Sequence, residues 1–499
     1  MSLKTFIIKQ VSSLVARHIN HWKQSAVVDQ KRILSALVSR AKNTAFGRDH
    51  HFDHIKDYND FKRQVPIRDY EELKPYFDRL TQGERDVFWP GLPKYFAKTS
   101  GTTSGIKYIP ITAESMPNHI NTARNALLNY FHQKSSASVF DGKVIFLSGS
   151  PELEYKSGIP TGRLSGIVNH EVPSWIRTNQ LPSYSTNCID DWETKLDKIV
   201  EETLSQDMRL ISGIPPWVQM YYEKLLEKTG KKNVLEVFPN YSLFMYGGVN
   251  FEPYRAKLEE LVGKRLDSIE TFPASEGFIA FQDDVDDKGL LLNTNSGIFF
   301  EFVAVETLGT EHLDRRMIDQ VELNKDYALI INNNAGLWGY SIGDCVRFVS
   351  LNPYKLLVSG RVKHFISAFG EHVIGKEVEE AILKACKTHQ ASIVEFTVAP
   401  QVSPPEGGLA YHEWFVEFDR QPIDMAVFAA DVNTALSQQN IYYEDLMKGH
   451  VLRPLVIRVM QQDAFREYMK MQGKLGGQNK VPRLSNDRKI ADVLQNFIA

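Results

Sequence analysis

From Ser100 to Gly105, four hydroxyl side chains and two glycines fill six consecutive positions, in a stretch that begins at Lys98 directly after the apolar Tyr95-Phe96-Ala97. Glycines let backbone N–H groups converge on a polyanion, Ser100, Thr102, Thr103 and Ser104 add donors, and Lys107 adds charge. That is the chemistry of a phosphate-cradling loop. The spacing differs from GxxxxGK[ST], because Lys107 is misplaced relative to Gly101 and Gly105 and is followed by Tyr108. An ordinary polar turn is the alternative; the density of hydroxyls between two apolar runs favours phosphate.

Four further clusters carry weaker signals. In Phe272-Pro273-Ala274-Ser275-Glu276-Gly277 a carboxylate follows a strand and could coordinate Mg²⁺ beside a nucleotide, or be a solvated turn acid. In Gly336–Asp344, after an apolar strand Tyr327–Ile331, Asp344 follows Gly343 at an expected turn. There it could accept from a ribose diol or serve its own backbone as an Asx-turn. Ser359-Gly360-Arg361-Val362-Lys363, with Phe369-Gly370-Glu371 beyond, reads as a hinge or as a hairpin with solvated charges. Gly473–Arg483 is a glycine-rich basic loop in which Lys474 or Lys480 could swing over a phosphate, or simply face solvent. Asn169 and His170 suit a structural role better than a catalytic one. No convincing Ser/His/Asp or Cys/His set is present, and Cys188, Cys345 and Cys386 form no CxxC.

The elements that must position these residues follow from periodicity. Ile7, Val11, Leu14, Val15 and Trp22 predict an amphipathic N-terminal helix and not a signal peptide. Ile33, Leu34, Leu37, Val38 and Ala41 predict a second helix, and Tyr70–Leu80 a third after Asp69. Strands are expected at Val144–Leu147, Met208–Ile211, Ser242–Tyr246 and Ile298–Val305, with helices at Pro216–Gly230 and Glu252–Gly263 between them. This alternation argues an α/β body on more than one sheet. After about residue 360, helix Lys376–Lys387, strands Ile393–Val398 and Ala410–Phe418, helix Asp424–Gln438 and strand Leu455–Val459 predict a small α+β unit of about 135 residues.

Composition excludes several classes. With 58 Lys+Arg against 61 Asp+Glu the net charge is −3, and no basic stripe suggests nucleic acid as a partner. Three cysteines in 499 residues make no disulfide scaffold, and no run is long and apolar enough for a membrane span. A soluble, cytoplasmic protein without a membrane partner is expected.

In their order along the chain, these clusters resemble those of the plant auxin-inducible acyl-acid–amido synthetases and their bacterial relatives. That family sits in the adenylate-forming superfamily with acyl-CoA synthetases, peptide-synthetase adenylation domains and luciferases. The resemblance begins at Val65-Pro66, Tyr70-Glu71, Pro75-Tyr76 and Arg79-Leu80. Thr99–Lys107 matches the Ser/Thr-rich ATP motif, followed by Pro110 and Thr112. Ala274-Ser275-Glu276 matches the second motif, with Ala274 in place of its first serine. Tyr340–Asp344 matches Tyr-Arg-x-Gly-Asp, with Ser341 in place of Arg, and Gly339 stands where plant members usually carry another Arg. Gln478–Arg483 resembles Gln-Tyr-Lys-Thr-Pro-Arg.

The resemblance implies a large domain over residues 1–360, with sheets and a distorted β-barrel flanked by helices, binding ATP and the acyl substrate. It implies a smaller mobile α+β domain over 361–499, hinged at Gly360, Arg361 and Lys363. ATP as substrate and Mg²⁺ are implied, with Ser100, Gly101, Thr102, Thr103, Ser104, Gly105 and Lys107 on the phosphates. Ser275 and Glu276 would lie near Mg²⁺ and the α-phosphate, Tyr340 near the nucleotide, Asp344 on the ribose, and Lys480 on the α-phosphate during adenylation. The implied partners are a small carboxylic acid and an amino acid, joined through an acyl-AMP. An acyl-CoA ligase on the same fold and a non-catalytic nucleotide-binding protein are the alternatives.

Overall fold

In the computed structural model the described residues are 3–499, apart from 101–105, 135–137, 173–176, 190, 249–250, 309, 311, 363–364, 367–372, 403, 406, 449–451, 476–479 and 486. The chain divides into two compact units. One comprises Met1–Phe251 and Arg255–Val358; the other comprises Ser359–Ala499 with the short piece Glu252–Tyr254.

The larger unit is built around a twelve-stranded sheet. Five of its strands, Gln180–Leu181, Lys143–Phe146, Met208–Ser212, Leu243–Gly247 and Asp267–Ala274, are parallel neighbours in that order. The order continues through Gly277–Gln282, Leu290–Leu292, Tyr354–Arg361, Tyr340–Leu351, Asp326–Asn333, Ile298–Ala304 and Arg315–Arg316. The ladders in this second part are antiparallel where Gly277–Gln282 meets both its neighbours and where Asp326–Asn333 meets both of its own. Parallel strands need crossover helices. Pro215–Thr229 and Glu252–Val262 supply two, each with a proline in its first turn and a left-handed glycine, Gly230 or Gly263, at its C-cap. A separate four-stranded sheet runs Ile106–Ile111, Tyr95–Ser100, Ile159–Gly162, Glu154–Lys156.

The large core gathers Phe46, Phe61, Phe77, Phe88 and Trp338, all fully buried. Trp338 satisfies its indole N–H on the Phe88 carbonyl at 3.1 Å, as a buried tryptophan must. Ala26–Ala41 buries the expected Ile33, Leu34, Leu37, Val38 and Ala41. Two expectations shift. The helix Leu3–Trp22 exists, but it buries Ile8, Ser12, Ala16, Ile19 and Trp22, while Ile7, Val11 and Leu14 stand exposed. Small Ser12 and Ala16 allow that face to lie close against helix Met116–Gln133, which shape decides and hydrophobicity alone does not. The third helix begins at Lys74, with Pro75 in its first turn; before it, Asp69 accepts from the amides of Glu71 and Glu72 in a turn of its own.

The smaller unit has the sheet Ser392–Gln401, Tyr411–Arg420, Val456–Val459, covered by helices Gly375–His389 and Met425–Gln439. Phe396, Trp414 and Phe428 centre its core. Among the described residues no helix is long and apolar enough to cross a membrane.

Helix Met116–Gln133 carries a histidine whose protonation is linked to folding. His119 is buried, its Nδ1 meets no hydrogen-bond partner among the described residues, and burial pushes its pKa down to about 4. The unfolded chain therefore takes up the proton first, so the stability held above pH 6.5 declines as pH falls toward 4. Equilibrium unfolding at pH 7 and pH 5 should show a loss on the order of 2 kcal/mol from this group. His119→Phe should flatten that slope; parallel pH profiles for parent and variant would assign the proton elsewhere.

Candidate active site

The first motif lies on a β-hairpin of the four-stranded sheet. Tyr95–Ser100 pairs antiparallel with Ile106–Ile111, with Thr99 opposite Lys107 and Ser100 opposite Ile106. Gly101, Thr102, Thr103, Ser104 and Gly105 join the two strands and lie outside the described residues, as does the side chain of Ser100. Lys107 is half-buried, its ammonium 5.7 Å from the ring centre of Tyr70. The Tyr70 hydroxyl accepts from the Tyr108 amide at 3.1 Å, and burial raises its pKa. Residues 106–108 are thereby fixed on one side of the loop.

Glu276 sits at the tip of a two-residue hairpin. Ala274 pairs with Gly277, leaving Ser275 and Glu276 as the turn, both half-buried. A Cβ at Gly277 would lie 2.6 Å from the Ile298 Cδ1, so a side chain there would have to displace that methyl group. Asn118 clamps the next residue, accepting from the Phe278 amide at 2.7 Å and donating to its carbonyl at 3.2 Å.

The third motif is a strand, not the expected turn. Tyr340–Leu351 runs continuously beside Asp326–Asn333. Ala328 pairs with Cys345 and Ile330 with Ser341, so two steps on one strand span four on the other. Gly343, at φ 83°, takes up the excess in a bulge, and Asp344 follows it, half-buried. Bulges re-aim side chains next to functional sites. Tyr340 is fully buried. The Val65–Arg68 segment pairs with this strand: the Arg68 amide donates to the Gly339 carbonyl and the Ser341 amide to the Arg68 carbonyl, both at 2.9 Å. The Arg68 guanidinium lies 3.1 Å from His50 Nε2, while His50 Nδ1 is 2.9 Å from the Phe46 carbonyl. Burial lowers the His50 pKa, and a neutral ring with its proton on Nδ1 satisfies both contacts.

Sequence reasoning missed the residues that tie these motifs together, Asn332, Asn333 and Asn334. Asn332 accepts from the Gly339 amide at 2.6 Å and donates to Glu301 at 2.8 Å, where the carboxylate forms a buried bidentate pair with Arg315. Asn333 donates to the Glu276 carbonyl at 2.7 Å. Asn334 donates to the Glu114 carbonyl, and its own carbonyl accepts from Thr112, the threonine that trails the first motif. The available signal was three consecutive amides at a strand end, followed by Ala335-Gly336.

Lys480 and the hinge residues belong to the smaller unit. Lys480 is exposed, and the segment after it is pinned to strand Ser392–Gln401. Thr397 Oγ1 donates to the Pro482 carbonyl at 2.6 Å, and the Val398 amide to the Arg483 carbonyl at 2.9 Å. Arg483 pairs with Glu379 and Glu395. The division between the units falls after Val358, inside strand Tyr354–Arg361. Gly360 there has φ 153°, a conformation other residues rarely adopt, whereas Lys363 and the Arg361 side chain lie outside the described residues. His170 Nε2 donates to the Pro151 carbonyl at 2.7 Å, a local tie.

Three known domains match in succession: the GH3 family N-terminal domain over residues 15–181 and 162–266, its central domain over 291–361 and its C-terminal domain over 376–489. The chain belongs to the GH3 family. Jasmonoyl–L-amino acid synthetase JAR4 of Nicotiana attenuata is 21% identical over 501 residues, 85% of each chain. The solved GH3.15 acyl acid amido synthetase superposes with a TM-score of 0.82 at 17% identity, over 98% of this chain and 96% of that one. A 2-hydroxyisobutyryl-CoA ligase in its postadenylation state superposes with a TM-score of 0.58 at 13% identity, over 93% and 90%. The fold is thus that of adenylate-forming ligases.

The family frame makes one departure testable. At φ 54°, a Cβ on Gly339 would lie 2.4 Å from the Pro66 carbonyl oxygen. Gly339→Arg, which installs the residue usual in plant members, should cost roughly 2–4 kcal/mol from left-handed strain and displacement of residues 65–68. Urea denaturation of the full chain checks this; an unchanged midpoint would show that the Val65–Arg68 segment yields freely.

Proposed function

We propose that this protein is an ATP-dependent acyl acid amido synthetase. It activates a carboxylic acid as an acyl-AMP, releasing pyrophosphate, and passes the acyl group to the amine of an amino acid. The observation that carries this reading is the ordered match to all three GH3 domains, with the Ser/Thr-rich hairpin, the Glu276 turn and the Asp344 bulge retained within it.

The residues suit the chemistry. A substrate carboxylate attacks the α-phosphorus while pyrophosphate departs, so both reactants are anionic and fixed donors must offset the repulsion. Ser100–Gly105 and Lys107 hold the phosphates, Tyr340 and Asp344 the nucleoside, and Lys480 stabilises charge at the α-phosphate. The substrate supplies the nucleophile, so none is required from the protein. The turn offers one carboxylate, Glu276, next to Ser275, with the Glu276 carbonyl taken by Asn333. One protein carboxylate completed by substrate phosphates is the donor set Mg²⁺ favours, so these residues fit that ion. When bound, it neutralises phosphate charge.

Residues 1–360 form the ATP- and acyl-binding domain in this reading, and 361–499 a domain that rotates about Gly360–Lys363 between half-reactions. Rotation withdraws Lys480 after adenylation and admits the amine while water is excluded. The free cysteines Cys188, Cys345 and Cys386 accord with a reducing, cytoplasmic setting.

Pyrophosphate release with ATP and Mg²⁺ over a panel of carboxylic acids tests the proposal. Release should require an acid, and an amide should form with an amino acid. A thioester formed with CoA, and no amide, would replace the reading with an acyl-CoA ligase. ATP binding with no release across the panel would favour a non-catalytic binder. Lys480→Ala should lower adenylation about 100-fold, the scale of one lost charge-stabilising contact, with ATP affinity little changed. Undiminished pyrophosphate release in that variant would remove Lys480 from the chemistry.

A further inference from the structure

Asn333 is the last residue of strand Asp326–Asn333 and is 2% exposed. Its side chain makes three hydrogen bonds with fixed roles. Oδ1 accepts from the amides of Ala335 and Leu337, each at 3.0 Å, and Nδ2 donates to the Glu276 carbonyl at 2.7 Å. Two N–H donors on one side and a carbonyl on the other leave no choice in the orientation of the amide. Its backbone is fixed as well: its amide donates to the Leu337 carbonyl at 3.0 Å, and its carbonyl accepts from Gly336 at 3.0 Å.

The partner of Nδ2 matters most. Glu276 occupies a two-residue turn, closed by the Ala274–Gly277 pair. Holding the Glu276 carbonyl sets the plane of the Glu276–Gly277 peptide and hence ψ of Glu276. One side chain therefore links the turn bearing the acid to the Ala335–Leu337 loop that leads into Gly339–Asp344. Its neighbours, Asn332 on Gly339 and Asn334 beside Thr112, extend the same run to the other two motifs.

We infer that Asn333 is a positioning residue for adenylation, fixing the Glu276 turn so that its carboxylate meets the phosphate-bound cation in one orientation. The inference deepens the reading of Glu276 given above and rests on it. Asn333 touches no reacting atom; it acts through Glu276.

Asn333→Asp keeps the acceptor for Ala335 and Leu337 and, when ionised, replaces the donor to Glu276 with an acceptor and a buried charge, so it is read beside Asn333→Ala, which removes the donor and adds no charge. Groups that orient a metal-binding residue are worth about 10–100-fold in affinity or activity. In acid-dependent pyrophosphate release, Asn333→Asp should raise the Mg²⁺ concentration for half-maximal rate about 10-fold and lower kcat, leaving the KM for ATP within about twofold. Unaltered Mg²⁺ dependence and kcat in the folded variant would overturn the inference. A second readout needs no activity: hydrogen exchange in a peptide spanning residues 272–278 should quicken in the variant, with exchange in strand Leu243–Gly247 unchanged. Identical exchange at 272–278 would equally overturn it. Should Asn333→Asp not fold, Asn333→Ala alone is read in the same two assays. If the parent protein releases no pyrophosphate, the functional reading fails, and the exchange measurement alone decides whether Asn333 holds the turn.

Discussion

A strand that ends inside a protein leaves backbone amides and carbonyls that water cannot reach. Each one left unanswered costs about 1–3 kcal/mol. Asp326–Asn333 is buried along nearly its whole length and ends in such a place. Its last two residues and the one after them are asparagines, whose side chains carry both a donor and an acceptor. They satisfy the chain reversal at Ala335–Leu337, the turn at Glu276, the amide of Gly339 and the segment after the Ser/Thr-rich hairpin. The geometry of the site follows from that requirement. Remove these amides and the strands remain, but their ends lose their relation to one another.

The asparagine run also meets a fully buried acid. Glu301 is fully buried and would be prohibitive as a lone charge. Arg315 answers it with two hydrogen bonds, at 2.6 and 2.7 Å, and also donates to the Val65 carbonyl. Asn332 occupies a further position on the carboxylate. The ion pair thus anchors the Val65–Arg68 segment as well as the asparagine run, and Arg68 in turn pairs with the strand that carries Asp344. In the smaller unit a comparable arrangement surrounds Arg483, with Glu379 and Glu395. It fixes the chain three residues beyond Lys480, so that a flexible side chain departs from a fixed backbone.

Much of this was legible in the sequence where period and burial agree. Strands Met208–Ser212, Leu243–Gly247 and Ile298–Ala304 lie within a residue or two of where periodicity puts them, and helix Ala26–Ala41 buries the expected stripe although it starts seven residues before Ile33. The order of the motifs carried the family. Apart from the late start of the third helix, which the local Asp69 turn and Pro75 decide, the failures share a cause: each was decided by partners that periodicity does not reveal. The buried face of Leu3–Trp22 was chosen by its fit to Met116–Gln133, so small Ser12 and Ala16 turned inward and Ile7 outward. The Gly343-Asp344 pair looked like a turn because glycine followed by aspartate usually is one. Here the neighbouring strand imposed pairing on both sides and made it a bulge. The asparagines passed unnoticed because their meaning lies in Glu276 and Gly339, neither of which is near Asn333 by periodic spacing.

The departures from the family pattern can be weighed on the same physical basis. An arginine at position 339 would have to occupy left-handed backbone with its Cβ against the Pro66 carbonyl, so the close approach of the Val65–Arg68 segment requires a glycine there. Ser341 stands in the adjoining ladder, its amide bonded to the Arg68 carbonyl. The backbone of the third motif is therefore held by hydrogen bonds that do not depend on which side chain position 341 carries, whereas position 339 must stay without one. Those bonds and the Gly343 bulge set the strand on which Asp344 lies, and both are intact. A frame built this way tolerates a change of side chain at position 341 and still holds Asp344 on the same strand.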